Sequence, residues 1–228
     1  MARINRAIDH VLAHLDQPLQ LEDVARVACF STFHFHRVFR SLMGETLHQF
    51  VKRLRLEHSL RLMSRFPNRS LTDVALECGF TSSSDFSRSF RQRFGVPPSV
   101  FEVETFRAQR RQEWLAAIED PAHRHQLQRL PVGENPDNFQ VEFRDLPARR
   151  VAYIRVLNPY RPEVVPDAAA RLVQWVRRNQ RSHGAWLGYM WDDPDVVAHK
   201  ECRYDAGVEL PDAQPDGEVG VVEFPAAL

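Results

Sequence analysis

Cysteine is scarce in this chain. Its three thiols, Cys29, Cys78 and Cys202, stand far apart and are odd in number, which excludes a disulfide scaffold and points to a reducing compartment, the cytoplasm. Long apolar runs are missing as well. Nothing approaches the roughly 18 residues of a membrane span, and Arg3, Asn5 and Arg6 interrupt the N-terminus where a secretion signal needs an apolar core. Metal-ligand spacing is also lacking. His10 and His14 lie one turn apart and His34 and His36 lie near Cys29, but neither set has a second paired motif at zinc-finger spacing, so no metal and no cofactor are expected. Cys29 and Cys78 read as small buried hydrophobes, and no motif supplies the surroundings that would activate a methyl-accepting cysteine.

Nor does charge of one sign dominate: 30 Lys and Arg balance 30 Asp and Glu. The balance hides an asymmetry. Residues 1–110 carry 16 basic and 11 acidic residues, a net +5, while residues 111–228 carry 14 and 19, a net −5. A basic half joined to an acidic half suggests two domains with different partners, although a basic half alone is often merely solvated. At 43% hydrophobic and 26% charged the composition is that of an ordinary globular protein.

What is present is a repeat. Leu21-Glu22-Asp23-Val24-Ala25 recurs as Leu71-Thr72-Asp73-Val74-Ala75, and Phe30 recurs as Phe80. With the offset one residue longer, Phe35, Arg37, Phe39-Arg40 and Gly44 recur as Phe86, Arg88, Phe90-Arg91 and Gly95. Each copy reads as two helices about a tight turn. In the first, Leu21, Val24, Ala25 and Ala28 share a face, Ser31 caps a second helix running to Leu42, and Phe35, Val38, Phe39 and Leu42 form its buried stripe. In the second, Ser70 caps the first helix, Gly79 sits in the turn, and Thr81 or Ser82 caps a helix with the stripe Phe86, Ser89, Phe90 and Phe94. Gly44 and Gly95 suit the position just past a helix end.

Three further helices complete this half. Ile4, Ala7, Ile8, Val11, Leu12 and Leu15 predict an amphipathic helix ended by Pro18. From Thr46 to about Arg65 the chain has no breaker, and its apolar positions fall on more than one side, giving a rod roughly 28 Å long. Major-groove sites on one face of DNA repeat every ~34 Å, so such a rod with its flanking helices can place two recognition helices in successive turns. After Pro97-Pro98, Ser99-Val100-Phe101-Glu102 predicts a capping box and a last helix.

Residues 3–106 resemble the DNA-binding domain of the AraC/XylS transcription regulators. The double helix-turn-helix, the central Arg53-Leu54-Arg55-Leu56-Glu57, and the block from Gly79-Phe80 to Phe94-Gly95-Val96-Pro97-Pro98 carry the resemblance. The second helix of each unit then enters the groove. Removing the buried stripes leaves Thr32, Phe33, His36, Arg37 and Arg40 outward in the first, and Ser83, Ser84, Asp85, Ser87, Arg88 and Arg91 in the second. By resemblance the base-reading positions are Phe33, His36 and Arg37, and Ser83, Ser84, Asp85, Ser87 and Arg88, with Ser31, Arg40, Thr81 and Ser82 better placed for phosphate. Arg can bond guanine bidentately, Asp can accept from cytosine, and an aromatic ring can meet a thymine methyl. Each residue has a plainer alternative: surface carboxylate pairs for Arg37 and Arg88, structural pairs for Arg40 and Arg91, a capping role for Asp85, and core packing for Phe33.

The acidic half changes period. Residues 107–138 read as a short polar helix and a linker. From Phe139 the alternation of Phe139, Val141 and Phe143, and of Val151, Tyr153 and Arg155 against Ala152, Ile154 and Val156, predicts strands. A helix follows at 163–181 with Ala169, Leu172, Val173 and Val176 inward, then strands at 186–191, 201–210 and 219–224. The order ββαβββ implies an antiparallel sheet with one helix. Leu146-Pro147-Ala148-Arg149-Arg150-Val151-Ala152-Tyr153, Asp192-Asp193-Pro194 and Cys202-Arg203-Tyr204-Asp205-Ala206 resemble the GyrI-like effector-binding domain. That resemblance implies two βαββ repeats about a ligand pocket. The chain stops at Phe224-Pro225-Ala226-Ala227-Leu228, where a second repeat is expected, so an incomplete domain is expected that dimerises, is poorly stable or packs on the DNA-binding half. Trp191 and Tyr204 are the candidates for a remaining effector-pocket wall, with core packing as the alternative.

The expected architecture is therefore an all-α DNA-binding domain over 1–108, a linker over 109–138 and a truncated α+β GyrI-like domain over 139–228. The expected function is a sequence-specific, non-enzymatic transcription regulator. Its expected partners are double-stranded promoter DNA, a small apolar or cationic effector and RNA polymerase, acting as monomer or homodimer away from membranes. Two alternatives stand beside it: a constitutive DNA binder with a non-sensing remnant, and a hydrolase drawing on Asp192, Asp193 and Glu201.

Overall fold

The computed structural model of the chain describes residues 2–116, 145–179 and 183–227. Its basic half is helical: α1 Ala2–Ala13, α2 Leu21–Val27, α3 Thr32–Met43, α4 Leu47–Arg65, α5 Leu71–Glu77, α6 Ser83–Phe94 and α7 Val103–Ala116. The duplicated sequence yields duplicated structure. Ser31 accepts from the His34 amide, Ser70 from the Asp73 amide at 3.1 Å and Ser82 from the Asp85 amide at 3.1 Å, so each satisfies a donor the first turn leaves orphaned. Gly44 and Gly95 end α3 and α6 in the left-handed conformation, at φ 75° and 83°. Thr46 and Gln49 form a reciprocal capping box at the start of α4.

Two apolar cores share α4. The first joins Ile4, Ile8 and Val11 of α1 with Val24, Phe35, Phe39, Phe50 and Leu54. The second joins Leu56, Leu60 and Leu62 with Val74, Phe80, Phe86, Phe90 and Val103. One end of α4 is buried in each, which is why its sequence shows no single apolar stripe. Four expectations need correction. α1 ends at Ala13, ahead of Pro18. Leu42 is exposed rather than part of the α3 stripe. Ser99 caps no α-helix, because Pro98–Val100 forms a 3-10 turn and α7 begins only at Val103. Cys29 is exposed at a left-handed position, φ 55°, whereas Cys78 is buried as expected.

The acidic half gives β1 Arg149–Leu157, α8 Val164–Arg178, β2 Trp186–Met190, β3 Arg203–Glu209 and β4 Gly220–Phe224. The strand expected at Phe139–Phe143 and most of the expected linker lie outside the described residues, and α7 runs uninterrupted through residue 108. The sheet is antiparallel with strand order β2-β3-β1-β4. Register pairs Ile154 with Ala206 and Ala152 with Val208, and this face packs on Ala168, Leu172 and Val176 of α8. The opposite face carries Tyr153 and Arg155 toward α1. Covered on both sides, β1 is buried along most of its length, so it lacks the polar face of a half-exposed strand. Of the three outcomes foreseen for this half, packing on the helical half is the one observed. Among the described residues no helix is long and apolar enough to cross a membrane.

Candidate nucleic-acid interface

The outward faces of α3 and α6 carry what the repeat predicts. Phe33 is 79% exposed, so it is not core. Ser31, Arg37 and Arg40 on the first unit and Thr81, Ser82, Ser84, Arg88 and Arg91 on the second are exposed, while Thr32, His36, Ser83, Asp85 and Ser87 are half-buried. Among the described residues none of the four guanidinium groups makes an ion pair or hydrogen bond. The surface-pair alternative for Arg37 and Arg88, and the structural-pair alternative for Arg40 and Arg91, thus lose their carboxylates. Asp85 is not the cap of α6; Ser82 is, and Asp85 is half-buried in the cleft that also holds Arg55.

His36 of α3 and Asp85 of α6 line opposite parts of one open cleft of about 640 Å³, whose floor includes Val51, Lys52 and Arg55 of α4. The two helices thus border one cleft, each through a single side chain. His48 and Lys52 also line this cleft. Sequence reasoning missed them, because α4 read only as a spacer. Arg55 is spent structurally: its Nε donates to the Leu15 carbonyl at 2.9 Å and its Nη2 to the Gln17 carbonyl at 2.6 Å.

The other side of α4 is charged and buried. Arg53 donates to Glu45 at 2.6 Å and to Glu57 at 3.2 Å, and Arg93 of α6 bridges Glu57 at 3.3 Å and Glu201 at 3.1 Å. Burial pushes the Glu57 carboxyl above its ordinary range, against the pull of Arg53 and Arg93. In the acidic half, Arg155 grips Asp205 through two bonds of 2.8 and 2.7 Å and reaches Asp9 of α1 at 2.8 Å. The Tyr153 hydroxyl donates to the same Asp9 at 2.5 Å. Nothing in a single sequence pairs Asp9 with a strand 144 positions away, so these contacts had no signal.

The two effector candidates separate. The Trp191 indole donates to Asp205 at 2.7 Å, on the α1 side of the sheet, beside the stacked rings of Tyr189 and Phe224. Tyr204 lies on the opposite face, packed against the core that α8 covers, which includes its register partner Val156. They do not form one pocket wall, because neighbouring strand positions point to opposite faces. The carboxylates of the hydrolase alternative are each spent on arginine. Asp192 accepts from Arg203 at 2.8 and 2.5 Å, Asp193 pairs with Arg107 at 2.8 Å, and Glu201 pairs with Arg93.

Two matched helix-turn-helix units, with arginines at equivalent positions that are unpaired among the described residues, define the class: a DNA-binding transcription regulator. A helix-turn-helix domain model matches residues 24–103, and a model of the GyrI-like small molecule binding domain matches residues 139–228. The regulatory protein SoxS of Salmonella typhimurium is 32% identical over 98 residues, 43% of this chain and 91% of SoxS. The transcriptional regulator Rob of the same organism is 33% identical over 103 residues, 45% of this chain and 33% of Rob. The solved DNA-binding domain of the transcription factor AdpA, in complex with a target DNA, is 29% identical; the match covers 49% of this chain and 99% of that one, with a TM-score of 0.43. The chain belongs to the AraC/XylS family of transcription regulators. It spans only 33% to 41% of the length of the longer curated relatives it matches.

Proposed function

We propose that the protein binds double-stranded promoter DNA sequence-specifically, seating α3 and α6 in two successive major-groove segments, and that a small-molecule effector acting on the GyrI-like segment modulates this binding. The carrying observation is the matched set Arg37 and Arg40 on α3 and Arg88 and Arg91 on α6, all exposed and all unpaired among the described residues, on two helices whose His36 and Asp85 line one cleft. In this reading Arg37 and Arg88 take guanine edges, Phe33 a thymine methyl, Asp85 a cytosine amine, and His36, Ser83, Ser84 and Ser87 adjoining base edges. Thr32, Arg40, Arg91, Thr81 and the capping hydroxyls of Ser31 and Ser82 meet phosphate. The protein carries out no reaction of its own, which fits carboxylates neutralised by Arg203, Arg107 and Arg93.

The test is sequence selection on the purified chain, followed by titration of the selected operator at stated salt. Arg88→Ala is expected to weaken specific binding by about 1–3 kcal/mol and to relax preference at one position, while a phosphate contact such as Arg40→Ala lowers affinity evenly across sequences and reduces the salt slope by about one. Unchanged operator affinity in Arg88→Ala removes that residue from the reading set.

A further inference from the structure

We propose that the C-terminal unit is a brace that fixes the spacing between the two recognition helices, with Asp9, Asp195 and Glu201 as positioning residues for spacing-selective DNA binding; the proposal rests on α3 and α6 being the reading helices.

Three observations carry it. First, the C-terminal unit grips both helix-turn-helix units at once. On the first it holds Asp9 through Arg155 and Tyr153, and it sets the Arg203 guanidinium 5.9 Å from the centre of the Phe50 ring. On the second, Glu201 holds Arg93 of α6, Asp193 holds Arg107, and Asp195 accepts from Arg111 at 3.4 Å and Trp114 at 3.3 Å. Val196, Val197 and Cys202 also enter the second apolar core. Second, α4 is the element the two cores otherwise share. Third, the unit is attached behind the reading side. The cleft between α3 and α6 is lined from α4 by Leu47, His48, Val51, Lys52 and Arg55. The α4 positions that face the C-terminal unit or its ion pairs are Phe50, Arg53, Leu54, Glu57 and Arg61. At about 3.6 residues per turn these two sets are centred roughly 135° apart around the helix, so they occupy different sides of it.

The consequence is mechanical. A single helix curves readily, and a bend in α4 would displace α6 relative to α3 along the duplex. Tying both units to a second rigid body closes the linkage. That body is stiff where it grips: Arg155 is locked by two bonds to the buried Asp205, so Asp9 meets a guanidinium with nowhere to move. The recognition helices themselves supply the base and phosphate contacts, so the brace is expected to sharpen spacing rather than to enable binding.

The experiment measures the full chain by fluorescence anisotropy on three duplexes: the selected operator, the same operator with one base pair inserted between its half-sites, and a duplex keeping only one half-site. The wild type is expected to discriminate strongly against the insertion, which displaces one half-site by about 3.4 Å along the axis. Asp9→Ala, and separately Asp195→Ala with Glu201→Ala, are expected to lose on the order of fivefold of that discrimination, the low end of couplings between sites, with half-site affinity within about twofold of wild type. Asp9→Glu, which keeps the carboxylate, is expected to retain part of it. Discrimination equal to wild type in variants that keep half-site affinity and melt cooperatively overturns the brace. If Asp9→Ala damages half-site affinity as well, the double variant at the far end decides alone. Failure of the underlying reading looks different: Arg37→Ala and Arg88→Ala would leave operator affinity unchanged while the chain still binds.

Discussion

Cys29 occupies the turn between α2 and α3 at φ 55°, and its counterpart in the second unit, fifty positions on, is Gly79 at φ 81°. The same turn needs the same left-handed backbone in both copies. Glycine adopts it freely, whereas a residue with a Cβ pays about 1–2 kcal/mol. Cys29 therefore carries strain that Gly79 avoids, and Cys29→Gly is expected to stabilise the first unit by about 1 kcal/mol, read as a higher midpoint in urea unfolding with unchanged slope. A lower midpoint would show that the thiol's contacts outweigh the backbone. Gly79→Ala is expected to go the other way and further, since a Cβ there would lie 2.6 Å from the Leu15 carbonyl oxygen and 2.9 Å from Arg55 Nη2. The repeat itself held this information: aligning the two copies puts Cys29 on a turn glycine, which argues against burial. A lone cysteine is ordinarily a buried small hydrophobe, but here the left-handed turn leaves the thiol exposed.

At the scale of the element, α4 was legible because its ends are chemically marked and its length follows from the absence of breakers. Thr46 with Gln49 closes one end, the hydroxyl accepting from the Gln49 amide at 3.3 Å and the Gln49 side chain accepting from the Thr46 amide at 2.9 Å. Thr46→Ala is expected to cost about 1 kcal/mol, measured by thermal or urea unfolding; a change under a few tenths would mean that the Leu47 and Phe50 packing alone fixes the helix start. The helix-turn-helix pairs are legible for a related reason, since each helix buries a face at its own period, whereas β1 and β3, buried on both faces, are marked by their runs of apolar and β-branched residues. What stayed hidden depends on contacts across the chain. Nothing local marks Val196 and Val197, in a turn after Asp192-Asp193-Pro194, as members of a helical core, yet they pack with Phe86 and Phe90. Trp191 and Tyr204 stand out in the sequence as aromatics at strand spacing, but the register that puts them on opposite faces is set by pairing partners the sequence does not display. On the interface, exposure of Phe33, Arg37 and Arg88 followed from subtracting the apolar stripe, whereas His48 and Lys52 needed the cleft to be seen.

Across the whole molecule the opposed charges of the two halves meet at a seam, and one titratable ring lies in it. His199 stacks on Tyr160 with centroids 4.1 Å apart and approaches Trp114 of α7 at 5.5 Å. Burial, and secondarily the positive charge of Arg110, holds its pKa below the ordinary histidine value of 6.5. The sign follows directly. In the unfolded chain the imidazole takes up a proton as pH falls through about 6.5, while in the folded chain it stays neutral to lower pH. The unfolded state then binds more protons, and stability declines as pH drops below that value; above it both states are neutral and His199 contributes no slope. His10 and His58 are shifted in the same direction, so the wild-type melting curve alone would not isolate the seam. Comparison with His199→Phe does, since phenylalanine keeps a ring against Tyr160 and removes the proton site. The melting temperatures of the two proteins are expected to run parallel above about pH 7.5 and to converge or cross below pH 6.5, the variant losing less on acidification. Curves that stay parallel down to pH 5 would place the His199 proton outside the folding equilibrium and leave the seam to its ion pairs and aromatic packing.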